Sequence, residues 1–161
     1  SATPATRELV LSGWSARLAG AARLGATVEP LPTPSRARAA IVTHTSPLVY
    51  AFEVVAAQSS GSRRATALEV LDALRSLDLA VAGSTTATPG GWSLPFPVTT
   101  AAAAERLGDT VLAAAVGAVV SVAGSTPDAA ALEDSARWGA RVQVVSTTWG
   151  MPPAPFPGAA S

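Results

Sequence analysis

Apolar residues recur along this chain at alternating intervals of three and four, the spacing that lines up one face of an α-helix. The pattern is cleanest at Val70, Leu74, Leu77 and Val81, and again at Ala131, Ser135, Trp138, Val142, Val145 and Trp149. Leu11, Trp14, Leu18 and Ala21 form a similar stripe near the start, and Leu107, Val111, Ala114, Ala118 and Val122 form another. With the apolar run from Leu48 to Ala57, the spacing predicts five helices. They lie over residues 4–26, 34–58, a third following Ser59-Ser60-Gly61-Ser62, 100–123 and 127–149.

The breaks between these stripes carry their own signals. Thr3-Pro4, Thr33-Pro34 and Thr126-Pro127 each precede a run of helix formers. Thr can cap the first turn, and Pro at the first helical position wastes no donor, so each pair marks an expected helix start. Ser46-Pro47 interrupts the second segment, where Pro removes a backbone donor and crowds the carbonyl one turn back. A kink, or a fresh start capped by Ser46, is expected there. Thr66 and Glu69 are spaced for a capping box if the third helix begins at Thr66. On that helix Asp72, Arg75 and Asp78 form a charged outer face, read as solvated. Residues 83–98 are dominated by Ser, Thr, Gly and Pro, with Trp92, Leu94 and Phe96 embedded among them, and predict a long connection pinned to the bundle by its aromatics. The tail, residues 150–161, carries Pro155-Phe156-Pro157 and reads as extended.

Heptad-like seams of this kind favour helices crossing at shallow angles in a bundle. At 161 residues the chain suits one domain, divided here into an added N-terminal helix and linker (1–33), a bundle (34–149) and an extended Pro-rich tail (150–161). Hydrophobic residues make up 48% and charged residues 14%, a globular composition, but much of the apolar share is Ala. The expected core is therefore one of small side chains and close helix contacts.

Charge and chemistry remove more functions than they suggest. Eleven basic residues, all Arg and dispersed from Arg7 to Arg141, balance eleven acidic ones, so no nucleic-acid-tracking surface is indicated. The lack of Lys excludes a Schiff base and a P-loop; the lack of Cys excludes disulfides, thiolate catalysis, iron–sulfur clusters and Cys-based zinc sites. The longest nearly unbroken apolar run, Val111 to Ala123, falls short of the roughly 18 residues that cross a bilayer and reads as a buried helix, so no transmembrane segment is expected. The chain opens at Ser1 with neither Met nor a charged leader, which suits a targeting peptide removed or never present. The expectation for location leans to the cell envelope over the cytoplasm.

Three stretches carry a family resemblance: Leu48-Val49-Tyr50-Ala51-Phe52-Glu53-Val54-Val55-Ala56-Ala57, Trp92-Ser93-Leu94-Pro95-Phe96-Pro97-Val98, and the ending from Ala136-Arg137-Trp138 through Ala154-Pro155-Phe156-Pro157-Gly158. In order and spacing they resemble a bacterial, alanine-rich ferritin-like domain family of unknown function, over roughly residues 35–158. The resemblance implies an all-α fold, a ferritin-like four-helix bundle made by the second to fifth helices, with the first helix added in front. Members of that family commonly carry a Glu-His pair shortly before the tyrosine matching Tyr50, and a His on the next helix. Here those places read Thr45-Ser46 and Glu69-Val70-Leu71-Asp72-Ala73-Leu74-Arg75.

A di-iron or di-manganese bundle takes two inward Glu-x-x-His motifs and two further Glu. This chain has one His, His44, with Ile41 three residues before it, so no such motif exists and no metal or other cofactor is expected. His44 and Glu53 are the residues to watch. His44 beside the Pro47 break reads as structural before it reads as a ligand or base. Glu53 lies in an apolar run, where it is either a partly exposed or Arg-paired structural residue or a relic ligand that would need an Arg or several donors if buried. Ser-His-Asp catalysis lacks a Gly-x-Ser-x-Gly elbow and a strand to carry it. Trp14, Trp138 and Trp149 fall on helical stripes and read as core or interface anchors, whereas Trp92 and Phe96 either staple the long loop or contact a partner. The functional expectation is a non-enzymatic scaffold without a di-metal site, acting as a homo-oligomer or beside a related ferritin-like subunit. The alternatives are a metal-binding oxidoreductase or storage protein with an unusual site, and an envelope carrier of a small apolar ligand.

Overall fold

The computed structural model describes residues 4–27, 37–82, 91–124 and 129–153. It contains five helices and, among the described residues, no strand: α1 (Pro4–Arg23), α2 (Ala37–Gln58), α3 (Gly61–Ala82), α4 (Ala101–Gly124) and α5 (Ala129–Trp149). The all-α reading holds. Pro4 opens α1, and Thr100 caps α4 by accepting from the Ala103 N–H at 3.1 Å. The Thr33-Pro34 and Thr126-Pro127 starts and the Pro155-Phe156-Pro157 tail lie outside the described residues.

Two helices end on a glycine in the left-handed region. Gly25 (φ 93°) and Gly150 (φ 107°) each close a Schellman motif: Ala26 N–H bonds Ala21 O and Gly25 N–H bonds Ala22 O, while Met151 N–H bonds Ser146 O and Gly150 N–H bonds Thr147 O. The second of these folds Met151, Pro152 and Pro153 back over the helix pair they have just left.

Side-chain pairs set the helix directions. Ser46 meets Asp78 and Glu53 meets Arg75, so α2 and α3 are antiparallel, as their two-residue link demands. Trp149 lies at Gly108 and Asp109 while Gly139 lies at Val119, which makes α4 and α5 antiparallel. Thr45 meets Trp138 and Phe52 meets Trp149, so α2 and α5 run parallel. The order is therefore up, down, down, up from α2 to α5. α3 and α4 point the same way at opposite corners of a ring α2–α3–α5–α4 and meet through the Arg63–Glu105 ion pair near their first turns. Their connection has to lead from one end of the bundle to the other, roughly 33 Å for a helix the length of α3. Within it Trp92 sits beside Tyr50 (ring centroids 6.0 Å apart) and Phe96 under the Arg106 guanidinium (4.2 Å), so both loop aromatics are half-buried on the bundle.

α1 lies along α5 and α4. As a result α5 touches all four other helices, and Asp134, Ser135, Ala136, Gly139, Ala140, Gln143 and Ser146 are buried besides its apolar stripe. The stripes expected for α3 and α5 are the buried ones. Two others shift. In α4 the core side is Ala104, Leu107, Leu112, Ala115, Val119 and Val122, with Ala114 exposed, because the helix faces α2 and α5 at once. In α1 the buried side is Leu11, Ser12, Ser15 and Ala19, and Trp14 is left 41% exposed beside Leu9 and Val10. Small residues face α5 because the two backbones approach closely, which turns the bulky residues outward.

The second helix corrects two expectations. It is one continuous helix through Pro47, with no fresh start at Ser46. Ser46 instead donates to Asp78 at 2.7 Å, so Asp78 is half-buried against α2 while Asp72 and Arg75 remain exposed. The α3 capping box does not form either: α3 begins at Gly61, and the Thr66 hydroxyl bonds back to Ser62 O. Residues 39–58 of α2 are also long and apolar enough, by length and composition, to cross a membrane (mean hydropathy 1.3). The stretch is broken by Thr, Ser and Pro, so a search for unbroken apolar runs passes over it. Here Ile41, Leu48, Ala51, Phe52, Val55 and Ala56 bury one side of it in the core.

Candidate functional site

The seam between α2 and α5 holds the largest buried side chains, Trp138, Trp149 and Phe52. Its upper part is built on Thr45. A threonine in mid-helix can turn its hydroxyl onto the carbonyl one turn back, and Thr45 Oγ1 donates to Ile41 O at 2.8 Å. The same oxygen accepts from Trp138 Nε1 at 3.0 Å. Both side chains are fully buried, so each polar atom has found the partner that burial requires. His44, half-buried, lies 6.0 Å from the Trp138 ring with the planes tilted by 37°.

The lower part is built on Trp149. Its indole N–H donates to Asp109 Oδ1 at 2.8 Å, its ring meets Phe52 edge-on at 5.2 Å, and the Arg63 guanidinium lies 3.5 Å above it. Arg63 also donates to Trp149 O at 2.9 Å and pairs with Glu105 at 2.8 Å. On the remaining side is Gly108, where an added Cβ would stand 2.7 Å from the indole. α3, α4 and α5 are locked together at this end by one aromatic ring.

His44 and Glu53 are not brought together. Nine residues apart on one helix, they are about two and a half turns apart and on opposite sides. Glu53 is exposed and accepts from Arg75 at 2.9 Å, so it points away from the bundle centre. Among the described residues no three of His, Asp and Glu come together as a metal would need. Trp92 and Phe96 lie against α2 and α4, as above.

A different place, which no stripe or motif marked, has the properties of a site. On the side of α5 turned to α1 and α4, Gly139 lets the chains close in: a Cβ there would stand 2.7 Å from Val119 and 3.0 Å from Ser15 Oγ. One turn further Gln143 is 4% exposed, and its Nε2 has no hydrogen-bond partner. Gln143 lines two grooves. One, of about 170 Å³, is walled by Ala16, Ala19, Gly20, Thr147 and Pro153 with Arg23 at its edge. The other, of about 180 Å³, is walled by Ala113, Val116, Ser146, Met151, Pro152 and Pro153. Of the residues folded back by the Gly150 turn, Pro153 borders both and Met151 and Pro152 border the second. Nearby on α5, partial burial, and then the positive charge of Arg137, hold the Arg141 guanidinium below its ordinary pKa.

No protein-family model, curated protein or solved structure matches the chain.

Proposed function

We infer that the chain is a ferritin-like helical scaffold that lacks a di-metal centre and acts through contacts with a second copy or a related subunit, not through catalysis. The connectivity supports the ferritin-like part. Two antiparallel hairpins joined by one connection across the diagonal is the arrangement of ferritin-like bundles.

The observation that carries the functional part is how the α2–α5 seam is filled. Where a di-metal bundle aims carboxylates and imidazoles inward, this seam holds Thr45, Phe52, Trp138 and Trp149, with both indole N–H groups satisfied by side chains of the bundle. Placing a metal there would require displacing two buried tryptophans. The contact reading draws on α1, which presents Leu9, Val10 and Trp14 to solvent at 56%, 64% and 41% exposure.

The test is elemental analysis of the purified protein together with its mass in solution by light scattering. Substoichiometric iron, manganese and zinc and a mass above one chain are expected. One metal equivalent or more per chain would sink the scaffold reading, and a strict monomer would remove its oligomeric part.

A further inference from the structure

The face of α1 turned away from the bundle has the spacing of a coiled-coil seam. Val10, Trp14, Arg17, Ala21 and Leu24, the last just past the helix, follow one another at intervals of four, three, four and three. All five are exposed, Val10 at 64%, Trp14 at 41% and Leu24 at 91%. Folding does not require this second seam, because α1 already packs on α5 and α4 through Leu11, Ser12, Ser15 and Ala19. The outer seam holds one charge, Arg17, and one ring, Trp14. Elsewhere the chain joins an Arg to a ring twice, with Arg63 3.5 Å above Trp149 and Arg106 4.2 Å above Phe96.

We propose that this seam joins two copies of the chain as an antiparallel helix pair, which rests on the scaffold reading and specifies its contact. In that direction the layers of the seam set Trp14 against Arg17 of the partner subunit, twice about the two-fold axis, and Val10 against Ala21 of the partner subunit. Each guanidinium then lies on a ring, and each Val faces a small residue. A parallel pair would set Arg17 against its own copy, bringing like charges together, so the antiparallel direction is selected. The extent of the patch fits a second copy as well. Two single-helix patches of roughly 500 Å² each, within the range of the largest apolar patch on a monomer, bury about 1,000 Å² together, the lower bound for a specific interface. The dimer is therefore weak and depends on concentration.

Cysteine cross-linking of the full chain tests it, since the chain has no cysteine of its own. Val10→Cys and Ala21→Cys, both at exposed positions, are oxidised separately and as an equal mixture, and a disulfide forms only where the two Cα atoms come within about 7 Å. Cross-linking in the mixture, and not in either variant alone, is expected. Arg17→Gln is expected to weaken association about tenfold in light scattering, by removing both ring contacts, with the circular dichroism unchanged. Either variant cross-linking to itself as readily as the mixture marks a parallel pair and overturns the proposal. Unchanged or tighter association of Arg17→Gln overturns it too. So does a dimer that no mixture cross-links, a result that leaves the self-contact reading standing on another face. A parent that stays a single chain at its highest soluble concentration removes both.

Discussion

The two sides of α5 are built on opposite principles. Along one side it presents Trp138 to α2 and Trp149 to α2, α3 and the first turns of α4, both buried and each with its N–H bonded to a side chain. Towards α1 and α4 it presents Gly139, Gln143 and Ser146, beside two grooves, with Ser15 Oγ and Gln143 Nε2 lacking partners. Large rings fill the first side; on the second, small residues let the backbones approach closely and two grooves remain beside them.

The largest expected effect tests the aromatic side. Trp138→Ala removes a fully buried ring and is expected to cost about 3–5 kcal/mol, read as a lower urea midpoint by circular dichroism. A cost under 1 kcal/mol would mean that the seam is not the anchor described here. On the other side, Gly139→Ala drives a methyl into Val119 and Ser15 and should cost about 1–3 kcal/mol. Its signature is locality: amide exchange should accelerate in α1 more than in α2 or α3, and uniform acceleration would contradict the division between the two sides.

Thr45→Val keeps the shape of the seam but takes away the acceptor of the Trp138 N–H. A loss of about 1–3 kcal/mol in chemical denaturation is expected, because the indole N–H stays buried without a partner. Gly117→Ala should act with the opposite sign. Nothing lies within 4 Å of the added Cβ, and the α4 interior should gain about 0.5–1 kcal/mol, visible as a raised thermal midpoint. The smallest effect belongs to Trp14→Ser on the exposed side of α1, expected within about 0.5 kcal/mol of the parent fold. The same change should lower the mass seen in light scattering if that face joins two chains.

Much of the helical layout was legible because periodicity reports burial directly when the buried side is made of large apolar residues. The α3 stripe, Val70, Leu74, Leu77 and Val81, is such a case, and so is the Gly25 stop. The α1 stripe holds at Leu11 and Leu18 but not at Trp14, for a definite reason. Hydrophobic spacing assumes that the buried side is the bulky one, whereas α1 meets α5 through Ser12, Ser15 and Ala19. At Pro47 the fresh start does not occur, because the Ser46–Asp78 bond and the core residues on either side hold α2 as one helix. The Gln143 grooves left no trace in the pattern. Gln143 follows Val142 in a helix whose apolar stripe was already accounted for, and a single Gln on the opposite side reads as solvent-facing.

The sequence alone determined that this is a helical protein, where its best-patterned helices bury their large residues, and that a di-metal site with two Glu-x-x-His motifs cannot be assembled from one histidine. Those conclusions rest on residue counts and on local spacing, which need no knowledge of neighbours. Tertiary structure decided the rest: that α5 is enclosed on nearly every side, that Glu53 faces outward to Arg75 and not the bundle, and that Gln143 is buried between two grooves. The cause in each case is which helix lies against which, and that is set by the closest approach small residues allow, a property of two surfaces together.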